Sequence, residues 1–501
     1  LGSTGSETYP TTANAFDTSF NGGNAFSGAN NIQYTIGADI VVTRFVADGS
    51  DLAASTYLGG SGDDGLNLAD ELTFNYADEA RGEVFLDNTG NVYICSSTNS
   101  IDFPTSEGAF QPFSSGGIGS QNGIIVKFNT DLSQMVWSSY IGGSGNDAVF
   151  SLKLDSEENL YISGGTSSND FPTTSGAINE TYQGGNTDGY VAKINNDGTE
   201  LLASTLLGTD AYDQAFFVDF DLDGFVYTIG QTSGDYTVEG NVYTNDNSGQ
   251  FIHKMSGDLT TTEWATVVGT GNGTPDIAPS AFSVDNCYRV FVSGWGGNVN
   301  GGGGVNGSTT QGLPITPDAF QSTTEGSDFY FLVLEQQATD ILYGTFFGSP
   351  SGTGEHVDGG TSRFSKEGVI YQAVCAGCGN SDFFPTTEGA WSNTNNSTNC
   401  NLGAIKFDFQ TAATVADFLL PPSECVPYSV EMENVSTNAE EYQWTVTNEN
   451  GEQIATSTET NPSFTFETAD IYTITLLAIK EGTCNGEATF SQNIMALGIQ
   501  N

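Results

Sequence analysis

The chain has 501 residues, and its 61 acidic and 11 basic side chains give a formal net charge of −50. Binding to nucleic acid or to anionic lipid depends on Lys and Arg, so this charge excludes both as partners. No stretch approaches the ~18 consecutive apolar residues of a membrane span. The 63 Gly residues, with many Thr, Ser and Asn, favour short strands joined by tight turns over helices or disorder.

One segment, in which an Ala follows a Pro by five residues, recurs along the first four-fifths of the chain. Its copies are YPTTANAF (9–16), FPTSEGAF (103–110), FPTTSGAI (171–178), LPITPDAF (313–320) and FPTTEGAW (384–391). Strand-like segments surround these copies, such as GNVYICSST (90–98), NGIIVKFN (122–129) and SSYIGGSGND (138–147). Together with the segment before each hairpin, such as 85–87, they predict four strands in every repeat.

A four-stranded sheet built from such a repeat has two apolar faces and cannot bury both by itself. Radial stacking covers each face with the next sheet, so the repeats predict a β-propeller of about six four-stranded blades over residues 1–411. The strand before each hairpin is expected to be innermost in its blade. An insertion at 65–81 lengthens the first full repeat, and its NLADELTF is expected to form a short helix.

These repeats resemble a family of beta-propeller repeat proteins found in large secreted surface proteins of bacteria. The segment at 373–403, AVCAGCGNSDFFPTTEGAWSNTNNSTNCNLG, is similar to members from Bacteroidetes that the type-nine secretion system exports. The resemblance implies a propeller fold and an extracellular, cell-surface location. It implies no reaction.

After Asp408 the pattern changes to short alternating strands about ten residues apart, which predicts a β-sandwich at 412–501. This part resembles an immunoglobulin-like domain of the PKD type, with Trp444 on the core strand and a matching run at 462–472. Cys425 and Cys484 lie at opposite ends of the domain's strands and are expected to form a disulfide.

The remaining cysteines allow more than one interpretation. Cys375 and Cys378 have the spacing of a redox or zinc half-site, but neither an α/β setting nor a second Cys pair accompanies them. We therefore expect a disulfide from Cys378 or Cys375 to Cys400. Cys95 and Cys287 lie on strand positions and are expected to be buried thiols.

Asp219, Asp221 and Asp223 form a D-x-D-x-D-G sequence, whose carboxylates could surround Ca²⁺. This makes them a candidate calcium site, and calcium is the one cofactor that the sequence suggests. Asp221 also aligns with Asp87 and Asp155 in sibling repeats that lack the motif, which favours a role in the hairpin turn.

Catalytic motifs are scarce. His253 and His356 are the only histidines, neither belongs to a metal-spaced cluster, and both are expected to be structural. The GGGG at 301–304 is expected in a surface loop and not before a helix. Four aromatic residues of the Pro segment could stack on glycans, although repetition at a fixed position favours packing between blades: Phe16, Phe110, Phe320 and Trp391.

We therefore expect a non-enzymatic, extracellular structural or adhesive module of a larger surface protein. Its partners would be other subunits or further domains of the same protein, and it could homo-oligomerise into an appendage. Two alternatives stay open. A glycan-binding module would need an exposed aromatic pair on one propeller face, and a polysaccharide hydrolase or lyase would need convergent polar residues at the central channel.

Overall fold

The computed structural model describes residues 1–28, 32–300, 308–350, 354–359, 362–365, 368–409, 414–481, 483–484 and 486–498. Its regular structure in these residues is β-strand, apart from 3-10 turns at Asp70–Leu72, Tyr76–Ala80 and Gln336–Ala338. The predicted all-β class is therefore confirmed. None of the helical segments in the described ranges has the length and hydropathy to cross a membrane.

The chain divides into two compact units. The first comprises Leu1–Val284, Arg289–Arg363 and Tyr371–Ile405, and the second comprises Asp285–Tyr288, Phe364–Ile370 and Lys406–Asn501. The predicted domain boundary between residues 411 and 412 lies outside the described residues, as does the GGGG at 301–304.

The first sheet has three antiparallel strands in the order β1 (Gly2–Thr4), β4 (Asp39–Phe45) and β5 (Leu52–Leu58). A short separate ladder pairs β2 (Phe26–Ser27) with β3 (Gln33–Tyr34). Strand β1 pairs with β4 in the way that β7 pairs with β8 in the second sheet, so β1 takes the place of the second strand of the other sheets.

Four further sheets share one layout, with four antiparallel strands paired in chain order. The second sheet has β6 (Glu83–Leu86), β7 (Val92–Thr98), β8 (Asn122–Phe128) and β9 (Met135–Ile141). The third has β10 (Asp147–Leu154), β11 (Leu160–Thr166), β12 (Asp188–Ile194) and β13 (Leu201–Leu207). The fourth has β14 (Asp213–Phe220), β15 (Val226–Thr232), β16 (Gln250–Met255) and β17 (Thr262–Val268). The fifth has β18 (Ala278–Val284), β19 (Val290–Trp295), β20 (Phe329–Leu334) and β21 (Ile341–Phe347).

A sixth sheet contains β22 (Arg363–Phe364), β23 (Val369–Ala376) and β24 (Asn401–Asp408). In the four-stranded sheets the pairing order matches the predicted order within a repeat. The segment NGIIVKFN (122–129) forms β8, and the equivalent strands of the other five sheets are β4, β12, β16, β20 and β24.

The middle strands of the four-stranded sheets are buried along their whole length, as β8, β11 and β15 illustrate, except at Lys193 on β12. Successive residues of a strand point to opposite faces, so both faces of these sheets are covered. The cover comes from the neighbouring sheet: one apolar cluster joins Tyr93 and Ile125 of the second sheet to Val149 and Ile162 of the third. The first strands also contact one another, β6 with β10, β10 with β14, and β14 with β18.

The second unit carries the C-terminal strands. They are β25 (Phe418–Leu419), β26 (Tyr428–Glu431), β27 (Glu433–Asn434), β28 (Glu441–Thr447), β29 (Gln453–Ser457), β30 (Ser463–Phe466), β31 (Asp470–Ile479) and β32 (Glu487–Ala496). One sheet has the order β29-β28-β31-β32, and two short ladders pair β25 with β27 and β26 with β30. Buried and less buried residues alternate along β31, as expected of strands with one covered face. Trp444 is buried on β28, and its indole N–H donates to the Glu459 carbonyl at 2.9 Å.

Buried carboxylates close the Gly-rich loop that precedes the first strand of several sheets. Asp147 accepts hydrogen bonds from the Gly143 N–H at 2.9 Å and from the Ser168 and Thr166 hydroxyls. Asp64 makes the equivalent bonds in its own loop, with the Gly60 N–H at 2.8 Å. Burial raises the pKa of each of these two carboxyls to about 7, and it does the same for a third that begins β14, Asp213.

We predict that these carboxyls make the fold less stable as the pH rises. Their folded pKa lies above the value of about 3.9 in an unfolded chain, so the folded state holds protons that the unfolded state has lost. The stabilisation is fully present below about pH 4 and disappears as the pH rises through 7. Thermal unfolding should therefore show a Tm at least about 5 °C higher at pH 5.5 than at pH 8.

Surface repulsion from the net charge of −50 would act in the same direction. The control is the same comparison in 1 M NaCl, where exposed charges are screened within about 3 Å but buried groups are not. A pH effect that disappears in high salt would contradict the assignment to the buried carboxyls.

Candidate functional site

The candidate calcium residues lie in and beside a hairpin turn. The Asp221 carboxylate accepts hydrogen bonds from the backbone N–H groups of Asp223 and Phe225, both at 3.0 Å, and lies 2.8 Å from the Lys254 ammonium. Asp87 and Asp155 make the same turn bonds in sibling sheets and pair with Lys127 and Lys193, at 3.8 Å and 3.0 Å. The repeated position is thus a hairpin device with its own cation.

The three Asp residues do not face a common point. Asp219 is buried and accepts hydrogen bonds from the Ser283 hydroxyl and the Val284 N–H of the next sheet, at 3.0 and 2.9 Å. Asp223 is exposed. Calcium binding by these residues stays a prediction, and it would require Asp221 to exchange Lys254 for the ion.

The cysteine pairing differs from the prediction at one end of the chain. Cys484 is bonded to Cys287, and Cys425 is a free, exposed thiol, so the expected Cys425–Cys484 disulfide is absent and Cys287 is not a free thiol. Cys425 pairs with Leu497 just after the C-terminal end of β32, whereas Cys484 lies before its start. Ten extended residues span roughly 33 Å, far beyond the reach of a disulfide. Elsewhere Cys378 is bonded to Cys400, and Cys95 is a free, buried thiol.

The aromatic residues of the Pro segment behave differently from one another. Phe16 packs edge-to-face on Phe128, with ring centroids 5.4 Å apart, and Phe110 packs against the cluster between the second and third sheets. The ring of Phe320 stacks on that of Phe347, with centroids 5.8 Å apart, although 61% of the residue is exposed. Trp391 is fully exposed, so the expected packing is wrong at that position. Phe16 and Phe110 pack on the sheet that follows their own, and in the described residues no further sheet of the repeat follows the sixth, to which Trp391 belongs.

The insertion at 65–81 folds into two 3-10 turns, Asp70–Leu72 and Tyr76–Ala80, in place of the expected short helix. The second turn begins with a capping box, in which Asn75 and Asp78 each bind the other's backbone N–H. Leu72, Asn75 and Asp78 are almost completely buried. The segment is therefore an internal part of the first unit and not a surface loop.

This segment binds five consecutive sheets. Leu68 donates to Gln121 beside β8, and Asn146 before β10 donates to Glu71. Gln214 on β14 donates to the Leu72 carbonyl.

The second half of the segment contacts the next sheets. Asn75 and Gln231 on β15 exchange a pair of amide hydrogen bonds at 2.8 and 3.0 Å. Arg81 donates to the Pro279 carbonyl on β18, and Tyr76 packs edge-to-face on His356 beside β23. The N-terminal ends of β10, β14 and β18 thus converge on one segment.

A buried ion pair anchors the end of the segment. The Arg81 side chain is 1% exposed, and its Nε lies 2.6 Å from Asp78 Oδ1. The guanidinium also lies over the ring of Phe216, 4.5 Å from its centroid. Removal of one partner would leave the other charge buried without compensation, which is costly in a protein interior.

Beside this segment, three side chains of different chemistry meet. His356 and Cys375 are partners in an antiparallel bridge, in which the Cys375 N–H donates to the His356 carbonyl at 2.9 Å. The His356 Nε2 lies 3.2 Å from Asp358 Oδ1, and the Cys375 thiol donates to Asp358 Oδ2 at 2.8 Å. The rings of Tyr76 and Trp295 pack on the imidazole, with centroids 5.7 and 5.8 Å away.

In this His356–Asp358–Cys375 cluster, the pKa values of the carboxyl and the thiol shift in opposite directions. The hydrogen bond from His356 lowers the pKa of Asp358 to about 2. Burial and the hydrogen bond to Asp358 raise the pKa of Cys375 to about 12, so the thiol is protonated at neutral pH and is a poor nucleophile. The donor atoms of the three residues all lie within 4.8 Å of one another, and His356 forms a second such group with Cys378 and Cys400.

The members of this cluster lie in two separate segments, so the sequence does not indicate that they meet. It predicts a structural role for His356 and relates Cys375 only to Cys378 and Cys400. The available signal was the H-x-D spacing of His356 and Asp358, which is weak alone. The other histidine, His253, is a buried structural residue that binds the Tyr236 and Thr262 hydroxyls, and burial lowers its pKa to about 4.

Comparison with known proteins gives a short match. A family model described as SBBP, beta-propeller repeat, matches residues 136–172. These residues run from β9 to the Pro segment after β11. No curated protein matches the chain.

Several solved structures are similar to parts of the chain. The PKD1 domain of the metalloprotease PrtV from Vibrio cholerae is 27% identical over 17% of this chain and 96% of that domain, with a TM-score of 0.14. A polysaccharide lyase of family PL25, an ulvan lyase, is 12% identical over 87% of this chain and 95% of its own, with a TM-score of 0.34. The extracellular domain of a one-component system from B. thetaiotaomicron is 11% identical over 95% of this chain, which spans 55% of that structure, with a TM-score of 0.27.

We predict that replacement of Asp78 destabilises the first unit. Asp78→Ala leaves the Arg81 guanidinium buried and unpaired and opens the capping box, so unfolding in urea should show a loss of about 3–5 kcal/mol. Asp70→Ala is the matched control, because Asp70 is an exposed carboxylate of the same segment and should change stability by less than about 0.5 kcal/mol. Equal losses in the two variants would contradict the anchoring role of the ion pair.

The cysteines give a second prediction. Iodoacetamide should modify Cys425 in the native chain, because this thiol is exposed, and should modify Cys95 only after denaturation, because it is fully buried. Peptide mapping without reduction should recover the Cys287–Cys484 and Cys378–Cys400 linked peptides. A peptide that joins Cys425 to Cys484 would show that the pairing described above is wrong.

Proposed function

We propose that the chain is a non-enzymatic, extracellular structural or adhesive module of a larger bacterial surface protein. In this proposal the first unit is a β-propeller of about six blades, and the C-terminal strands form a PKD-type, immunoglobulin-like sandwich. The observation that carries the proposal is the buried segment 65–81, which occupies the point where the first strands converge.

Contacts between the first strands support a closed ring. Besides the sequential contacts of β6, β10, β14 and β18, Arg363 at the start of β22 lies 2.5 Å from Glu83 at the start of β6. Gln372 on β23 donates to the Ser280 hydroxyl on β18 at 2.9 Å, so the sixth sheet also lies beside the fifth. Each first strand from β6 to β18 thus contacts the next one, and the sixth sheet contacts both β18 and β6.

The filled centre argues for a structural role. Ligand sites in proteins are clefts with a few polar groups free to orient the ligand. Here the amides of Asn75 and Gln231 bind each other, and Arg81 is occupied by Asp78 and a backbone carbonyl. At this end of the ring the polar groups stabilise the fold and leave little for a substrate.

The acidic surface and the resemblance to secreted repeat proteins support the extracellular assignment, including export of the type-nine kind. A net charge of −50 keeps a surface assembly dispersed, and calcium could bridge its carboxylates. We propose as partners other subunits, or further domains of the same polypeptide, with homo-oligomerisation into an appendage.

A second candidate function is glycan binding, and the full exposure of Trp391 favours it. An exposed indole is a large flat apolar surface of the kind that interfaces use. Phe383 is also 64% exposed and precedes the same Pro segment. These two residues are the candidate aromatic pair.

Two measurements separate the structural proposal from the catalytic alternative. Immunogold cryo-electron microscopy of the native organism should place the chain on cell-surface fibres, and a label confined to the cytoplasm would contradict the proposal. Incubation with a panel of polysaccharides should release no more reducing ends or unsaturated uronates than the heat-denatured chain does. Turnover above that control would establish the hydrolase or lyase alternative.

The glycan alternative has its own matched pair of variants. If the chain binds a glycan array and Trp391→Ala abolishes the signal while Phe113→Ala keeps it, the second candidate is correct. Phe113 is a suitable control because it is 79% exposed. The structural proposal expects no saturable binding in any of the three chains.

A further inference from the structure

We propose that the Nε2 of His356, the carboxylate of Asp358 and the thiolate of Cys375 bind one zinc ion. All donor atoms of this trio lie within 4.8 Å of one another. In a tetrahedral zinc site, bonds of about 2.0–2.3 Å place neighbouring donors roughly 3.3–3.8 Å apart. The 3.2 Å between His356 Nε2 and Asp358 Oδ1 is close to that spacing, so only small side-chain movements would be needed.

The other ring nitrogen of His356 supports this choice of ligand atom. Its Nδ1 lies 3.3 Å from the Gly354 carbonyl, which can only accept a hydrogen bond. Without metal, the Nε2–H of His356 donates to Asp358. Zinc would take the place of that proton, and the ring would then carry its proton on Nδ1, where the Gly354 carbonyl accepts it, so that the lone pair of Nε2 binds the ion. Histidine ligands of zinc commonly donate their second N–H to a backbone carbonyl in this way, which fixes the tautomer and the orientation of the ring.

The backbone and the neighbouring rings hold the trio in place. His356 and Cys375 face each other across an antiparallel bridge, and Asp358 follows His356 by two residues. Tyr76 and Trp295 restrict the imidazole from two directions. Preorganisation of this kind lowers the cost of ordering ligands around an ion.

The donor set selects the metal. Thiolate and imidazole are the ligands of zinc and other transition metals of similar softness, whereas Ca²⁺ and Mg²⁺ prefer oxygen donors throughout. On binding, Cys375 loses its proton to solvent and the sulfur bonds to the metal in its place. The Asp358 side chain is 46% exposed, so a water molecule can complete the fourth position.

The second group around His356 is a weaker candidate. It uses Nδ1, which lies 3.9 Å from the Cys378 sulfur, together with Cys400. Those two sulfurs are bonded to each other, so neither can act as a thiolate ligand while the disulfide is intact. The zinc site and the disulfide therefore lie side by side on opposite nitrogens of one imidazole.

The test uses the full chain without an affinity tag and with its disulfides intact. After zinc loading and gel filtration, elemental analysis should find one zinc per chain. Cys425→Ser should also retain one, because it removes an exposed thiol outside the trio. Asp358→Asn, a change at a half-exposed side chain, should weaken zinc binding at least about tenfold.

Cobalt(II) reports the sulfur ligand directly. The wild-type chain should show a thiolate-to-cobalt charge-transfer band and the strong visible absorption of a tetrahedral site, and Cys375→Ser should show no charge-transfer band. Circular dichroism and Tm of each variant without metal identify any loss that is due to misfolding, and Asp358→Asn supplies the answer if Cys375→Ser fails to fold.

Three results would overturn the proposal. The first is a wild-type chain that retains no zinc. The second is zinc binding of unchanged affinity in both Cys375→Ser and Asp358→Asn. The third is zinc that binds only after reduction of the Cys378–Cys400 disulfide and that a folded Cys378→Ser/Cys400→Ser double variant does not bind, which would assign the metal to the other nitrogen of His356. None of these results depends on whether the chain is structural, adhesive or catalytic.

Discussion

Each four-stranded sheet of the first unit must bury both of its faces, and the arrangement of the other parts depends on this requirement. A single layer of four strands has nothing to cover its two apolar faces, so it cannot bury them by itself. Its apolar side chains must pack against the sheets on either side, as the cluster shared by the second and third sheets shows. The stabilising free energy therefore lies between repeats, so each repeat depends on its neighbours in the way typical of repeat proteins.

Five of the basic residues pair with acidic residues of the first unit. Of 11 Lys and Arg residues, Lys127, Lys193 and Lys254 pair with the hairpin Asp of their own sheets, and Arg81 and Arg363 pair with Asp78 and Glu83. A lysine over the turn neutralises a carboxylate that would otherwise be buried with a full charge. These five cations thus neutralise carboxylates of the first unit, and the excess of acidic residues gives the chain its net charge of −50.

Convergence of the first strands creates a second demand, because their N-terminal ends carry backbone groups that need partners. Segment 65–81 supplies these partners, because its amides, carbonyls and Arg81 form hydrogen bonds with successive sheets. One buried ion pair anchors its end. The same segment brings Tyr76 to the imidazole of His356. A residue of the buried segment therefore packs directly on His356, which we propose as a metal ligand. This contact helps to hold the imidazole in one orientation.

The sequence by itself determined the all-β class, the strands of each repeat and their pairing order, because alternation along a strand and Gly-rich turns are local properties. It also gave the right role to Asp221, whose siblings Asp87 and Asp155 mark a hairpin. The sequence could not show that Cys287 lies next to Cys484, which is 197 residues away. Nor could it show that the ten-residue strand β32 separates Cys425 from Cys484. The fate of segment 65–81 and the meeting of His356, Asp358 and Cys375 were decided only by the tertiary structure. The physical reason is that these contacts join distant segments through packing, and no periodicity or spacing within either segment records which partner the other will supply.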